Sequence, residues 1–164
     1  MNTGAAISSL ETTIGDPRPG LPEEIFLFAS RIMPVINVDL LIQDQAGRTL
    51  LTWRDDEFFG RGWHVPGGVI RYKEMAADRI RACAREELST EVAFEAAPLM
   101  VMEYIGDKPN RAHCISLLYR CTLLAPPAES LRAGPNAPRP GQWLWHAVSP
   151  PDLLAVQAPY RRFF

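Results

Sequence analysis

Gly67-Gly68-Val69-Ile70-Arg71-Tyr72-Lys73-Glu74, running on to Arg85-Glu86-Glu87-Leu88, is the stretch that decides the fold. It reads as a glycine turn, a short loop and a helix with adjacent carboxylates near its C-terminal end. Glycine permits a turn that a side chain would block and leaves a carbonyl free to face a cation. Two carboxylates and a carbonyl are hard oxygen ligands of the kind Mg²⁺ prefers, and Mg²⁺ commonly binds substrate phosphates as well. The segment can therefore present a metal to a diphosphate. The helix expected over 74–88 contains no Gly or Pro, and Ala76, Ala77, Ile80, Ala84 and Leu88 trace one apolar stripe. At that length it spans roughly 22 Å.

Outward from this segment, strands and helices mix. Ile36, Val38, Leu40 and Ile42 alternate, which predicts a strand over 35–42, and Asp44 to Gly47 turns it into a return strand over 49–53. Residues 55–61 read as a polar connection before a short strand at 63–66. Strands are expected over 99–105, 113–124 and 143–148, with a Pro- and Gly-rich loop over 125–141 and a short helix opening at Ser149-Pro150. Ile25, Phe28, Ala29 and Ile32 fall at helical spacing over 22–32. Residues 1–20 read as a flexible N-terminal arm and 21–164 as one domain. The fold class is α/β, a layered sandwich with helices against a mixed sheet.

The chain has 164 residues, 47% of them hydrophobic, which suits one core and not two. Its formal charge is −2, with no block of Lys and Arg, so nucleic acid is not the expected partner. There is no apolar run near the length of a membrane span. Cys83, Cys114 and Cys121 have no metal-like spacing and read as buried apolar residues in a reducing, cytoplasmic compartment.

The box resembles that of the Nudix hydrolase family: G, five residues, E, seven residues, then R-E-U-x-E-E-x-G-U, with U aliphatic. Gly68 and Glu74 have the spacing, and Glu86 and Glu87 fall on the paired Glu positions. Four positions depart: Ala82 for Arg, Cys83 for the first Glu of the cluster, Ser89 for Gly and Thr90 for the last aliphatic. The third carboxylate and the usual partner of Glu74 are thus missing, and Glu74 reads as a helix N-terminal charge. Trp63-His64-Val65-Pro66-Gly67-Gly68, the helix at 22–32 and Ala84 to Leu88 are most similar to the GDP-mannose mannosyl hydrolases, which also lack that first Glu.

The resemblance extends over about residues 21–155 and implies a Nudix α/β/α sandwich. It implies that the Gly67 carbonyl and Glu87, with Glu86 as a further candidate, hold Mg²⁺ or Mn²⁺. It implies that Arg54 contacts the diphosphate, and it places His113 where the family also has His. The subgroup's Arg directly after Gly-Gly is Val69 here, with Arg71 two positions on as its candidate replacement. The subgroup's His base in the loop before the last strand has no counterpart. The expected substrate is a nucleoside diphosphate derivative, a nucleotide sugar such as GDP-mannose first. The alternative is a catalytically impaired module that binds a nucleotide or a partner protein. A homodimer would pack through the arm and the first helix.

Overall fold

The computed structural model describes residues 2–164. Its elements are α1 (Thr3–Ile14), α2 (Glu23–Ala29), β1 (Val35–Ile42), β2 (Thr49–Asp56), β3 (Gly60–His64), β4 (Gly67–Val69), α3 (Ala76–Leu88), β5 (Val92–Phe94), β6 (Met100–Ile105), β7 (His113–Leu123) and β8 (Trp143–His146). Short 3₁₀ segments cover Glu129–Leu131 and Ala155–Phe163. The architecture is the expected α/β one with a mixed sheet.

One sheet runs β4-β1-β7-β5, with β6 also on β7; the other runs β3-β2-β8. The β1–β7 pair is parallel, Val35 opposite Cys114 through Ile42 opposite Cys121, while every other pair is antiparallel. Strand β1 is buried on both faces, as a strand with parallel pairing in a layered fold must be. Val38, Leu40 and Ile42 pack with Ile80, Cys83, Ala84 and Leu88 of α3. Leu41 belongs to a second core with Leu51, Trp53, Trp63, Leu118 and Tyr160. This double burial clamps β1 and fixes β4, its antiparallel neighbour, against α3.

Four expectations are corrected. The stretch read as a loose arm contains α1, capped by the Asn2 side chain, which accepts from the Gly4 N–H at 3.0 Å. Ile7, Leu10 and Ile14 fall at helical spacing, but no α1 residue is buried, so the stripe is short and packs into no core. The connection expected at 55–61 is the tip of a hairpin: β2 runs on to Asp56 and β3 starts at Gly60, with Asp55 opposite Arg61. Asp56 holds that turn by accepting from the N–H groups of Phe58 and Phe59. Strand β5 was not expected, and the C-terminal helix starts at Ala155 rather than Ser149.

Candidate active site

The Gly67-Gly68 pair is not a turn. Both residues lie in β4, opposite Asp39 and Val38 of β1, and neither has a positive φ. Glycine is required there for close approach. A Cβ on Gly67 would run into the Val38 carbonyl oxygen and sit 2.5 Å from Asp39 Oδ1. A Cβ on Gly68 would sit 2.9 Å from Cys83 Sγ. The Gly67 N–H turns away from β1 and donates to Glu87 Oε1 at 2.7 Å. In an antiparallel ladder the N–H and C=O of one residue point to the same side, so the Gly67 carbonyl also faces away from β1.

Glu87 is partly buried as a residue, yet its carboxyl end is desolvated enough to be pushed up to about 7. Donation from the Gly67 N–H and the Thr52 hydroxyl opposes that shift, as does the charge of Arg54. Thr52 Oγ1 lies 3.0 Å from Glu87 Oε2 and 3.1 Å from His64 Nε2. His64 Nδ1 lies 2.8 Å from the Val65 carbonyl, which only accepts, so Nδ1 carries the hydrogen and Nε2 is an acceptor. Burial and the Arg54 charge hold His64 neutral, its pKa down to about 3. Thr52 thus has one proton for two acceptors. The chain Glu87–Thr52–His64 is fully satisfied when Glu87 is itself protonated.

The arginine absent at position 82 is replaced in space by Arg79, one turn earlier on the same helix face. Arg79 is buried; its Nη2 lies 2.9 Å from Glu86 Oε1 and its Nε 3.8 Å from Glu74 Oε1. Glu74 lies ahead of α3, accepts from the Arg71 N–H at 2.8 Å, and belongs to this ion-pair group rather than to the helix terminus. Arg71 Nη2 stands 3.8 Å from Glu86. We expect Arg79→Met to lower the unfolding free energy by roughly 2 kcal/mol, below the ~3–5 of a fully buried pair because Glu86 is exposed. Arg81→Met, on an exposed side chain, should change it by less than about 0.5 kcal/mol. Urea unfolding midpoints of the two variants check this.

Beside Glu87, a narrow pocket of about 60 Å³ is lined by Asp39, Arg54, His64, Gly67, Arg111 and Ser116, among others. That volume suits an ion with a few waters. Arg54 enters it from β2, paired with Asp56 at 3.2 Å and stacked 5.6 Å from the Phe59 ring. Asp39 was missed at the sequence level. It is a buried carboxylate pushed up to about 6 by burial, and the Tyr160 hydroxyl donates to its Oδ2 at 2.6 Å. Its signal is an acid inside the apolar run Val35–Ile42.

The expected site residues therefore divide. Arg54, Gly67 and Glu87 come together, whereas Glu86 is exposed and turned toward Arg79. His113 and Arg71 do not line the pocket. The His113 imidazole lies 3.0 Å from Glu103 Oε1 at the start of β7, and Arg71 borders a separate apolar groove of about 830 Å³. Among the described residues no three His, Cys, Asp or Glu side chains converge on one metal position. The donors that remain are the desolvated Glu87 carboxylate, the outward-facing Gly67 carbonyl and Glu86. They are hard oxygens of the kind Mg²⁺ takes; Glu86 stands apart on Arg79, so Glu87 and the Gly67 carbonyl are the pair that would hold the ion, with water supplying the rest of its shell.

A family model described as NUDIX domain matches residues 33–156. A low-salt glycan biosynthesis protein, Agl8, of Haloferax volcanii is 31% identical over 80 residues, 49% of this chain and 51% of that protein. The chain thus spans about half the length of that curated relative. A MutT NUDIX hydrolase from Burkholderia pseudomallei superposes with TM-score 0.62 at 22% identity, covering 79% of this chain and 97% of that one. A protein from Jonesia denitrificans described as a possible asymmetric diadenosine tetraphosphate hydrolase superposes at 0.59 and 19% identity, covering 80% and 92%. These structural likenesses speak for the fold. Together with the box geometry around Gly67 and Glu87, the family match shows that the chain belongs to the Nudix family of hydrolases.

Proposed function

We propose that the chain is a Mg²⁺-dependent hydrolase of a nucleoside diphosphate linked to another moiety, with a nucleotide sugar of the GDP-mannose kind as first candidate. The observation that carries this is the Gly67 N–H bound to Glu87 across β4 and α3, beside a pocket that Arg54 enters. Glu87 and the Gly67 carbonyl would hold the cation, with Glu86 as the further candidate. When bound, it supplies charge neutralisation on the diphosphate and a more acidic bound water. Arg54 stabilises charge developing on phosphate oxygens through its fork of N–H donors. The Haloferax relative, named for glycan biosynthesis, supports a sugar-bearing substrate.

The reaction breaks one bond of the diphosphate linkage with water. Attack at phosphorus gives a nucleoside monophosphate and a sugar phosphate; attack at the sugar carbon gives a nucleoside diphosphate and the free sugar. The loop ahead of β8 carries no His to activate water at carbon, which favours phosphorus. A panel of nucleotide sugars turned over with Mg²⁺ or Mn²⁺ in heavy-oxygen water tests both points. We expect the label on a phosphate product. Label on the free sugar would overturn the phosphorus assignment, and no turnover of any panel member would overturn the hydrolase.

A second reading, a module that binds nucleotide without cleaving it, is favoured by Cys83 standing where the family's first cluster Glu belongs. It predicts thermal stabilisation by nucleotide that survives both chelator and Glu87→Gln. We place the protein in the cytoplasm. We also assign a homodimer to the N-terminal segment and α2, where Ile7, Phe28 and, just beyond α2, Ile32 and Met33 offer an apolar surface.

A further inference from the structure

Arg111 stands in the turn between β6 and β7 with a left-handed backbone, φ 55°. An arginine held there is strained, and it persists because the surroundings over-determine it. Its N–H donates to Ser30 Oγ at 3.1 Å, which ties the turn to the end of α2. Its guanidinium lies 4.9 Å from the Phe58 ring, 5.3 Å from Phe59 and 5.4 Å from Phe26. Three aromatic rings from two other elements thus surround one cation.

Among the described residues the cation has no ion-pair partner in contact; the charges of Asp56 and Glu23 reach it only from beyond ion-pairing distance. Its Nε is buried without a hydrogen-bond partner, and among the described residues no carboxylate lies within ion-pairing distance of it. Burial and the nearby Arg54 charge both depress its pKa. A guanidinium kept only as a strut between rings would have its N–H groups on backbone carbonyls, because a buried donor left unmade is costly. The rings attract its faces and take none of its in-plane donors. Those donors form the fork that matches two oxygens of a phosphate.

Position gives the fork its purpose. Arg111 borders the narrow pocket that Asp39, Arg54 and Gly67 line, and it also borders the large apolar groove between the α1–α2 region and the loop after β4. It stands where the two cavities meet. We propose that Arg111 is a phosphate-binding residue at the mouth of the pocket, acting with Arg54 and selecting ligands that carry a second phosphate on the groove side. The binding step stands without the hydrolase reading; only the selection of substrates rests on it.

Inorganic diphosphate is the probe, titrated calorimetrically into the full chain in chelator so that no metal contributes. The wild type should bind it. Arg111→Met should weaken binding by roughly tenfold or more, and Arg111→Lys should restore only part, since an ammonium lacks the bidentate fork. Arg61→Met, on a side chain 67% exposed and outside both cavities, should bind as wild type does. Urea midpoints separate binding from structure: affinity lost in Arg111→Met, with the Lys variant restoring part of it at an unchanged midpoint, upholds a binding role, whereas affinity that follows the midpoint across both variants overturns it as a strut. If Arg111→Met does not fold, Arg111→Lys carries the test. Unchanged affinity in Arg111→Met, full affinity in Arg111→Lys, or no diphosphate binding by wild type would overturn the proposal. Diphosphate binding that depends on Arg111 and not on the midpoint upholds it whether or not any nucleotide is cleaved.

Discussion

Glu87→Gln is expected to abolish metal-dependent hydrolysis while leaving a folded chain that, in chelator near pH 8, is more stable than its parent. The amide keeps the shape of the carboxylate. Its oxygen accepts from the Gly67 N–H as Glu87 does at 2.7 Å, and its NH₂ donates to Thr52, whose oxygen lies 3.0 Å away. Thr52 then turns its own proton fully to His64 Nε2. The amide supplies no negative charge for a cation. We therefore expect kcat to fall by about 10²–10³ or more, in the range seen when an electrostatic group at the reacting centre is removed.

The stability half of this prediction has a definite sign. Burial raises the folded Glu87 from 4.5 to about 7. A carboxyl raised on folding stabilises the fold while it stays protonated. That contribution is complete below about 4.5 and is lost as pH rises through about 7. It amounts to roughly 3 kcal/mol at most. Asp39, also raised, adds a dependence of the same sign in both proteins, and only its charge coupling to Glu87 enters their difference. Urea unfolding in chelator should show the parent losing stability relative to Glu87→Gln between about pH 5 and pH 8. Equal pH dependence in the two proteins would remove the desolvated carboxylate from the argument, and wild-type turnover by the variant would remove it from the chemistry.

The apolar stripe of α3 was legible because helix geometry is local: residues three and four apart share a face whatever the rest of the chain does. The β1 alternation was legible for the same reason. The spacing from Gly68 through Glu74 to Glu86-Glu87 was legible only as a box pattern, because Gly68 and Glu74 lie outside the helix. What sequence could not supply were partners far along the chain. Asp39 meets Tyr160, 121 positions away, and the rings around Arg111 come from α2 and the β2–β3 turn. Arg79 was visible as a helix residue, but its role depends on Glu74 and Glu86 converging on it, which follows from the path of the loop ahead of α3. Strand β5, Val92–Phe94, is too short for a period to show. His113 does not reach the pocket because its side chain meets Glu103, a contact across the β6–β7 pair that the sequence does not show.

The glycine pair shows most directly how one residue type can carry two meanings. Glycine signals a positive φ or a close approach, and only the neighbours tell which. Here the neighbours are backbone, so Gly67→Ala should have the largest effect on stability of any single methyl addition in the site. The new Cβ would meet the Val38 carbonyl and the Asp39 side chain, and β1 cannot yield because Val38 and Leu40 are fully buried in the core. Strand β4 must move instead, and the Gly67 hydrogen bond to Glu87 goes with it. We expect a loss of about 3 kcal/mol or more, together with loss of turnover. Gly68→Ala meets the Cys83 sulfur at 2.9 Å and Arg79 only at ordinary contact distance, so it should cost less and be rescued by Cys83→Ala, which cannot rescue Gly67→Ala. Gly134→Ala, with open space around it and no positive φ, should shift stability by less than about 0.5 kcal/mol. If Gly67→Ala matches Gly134→Ala in urea midpoint and turnover, the close contact of β4 with β1 does not set the position of Glu87. The catalytic geometry would then have to come from α3 alone.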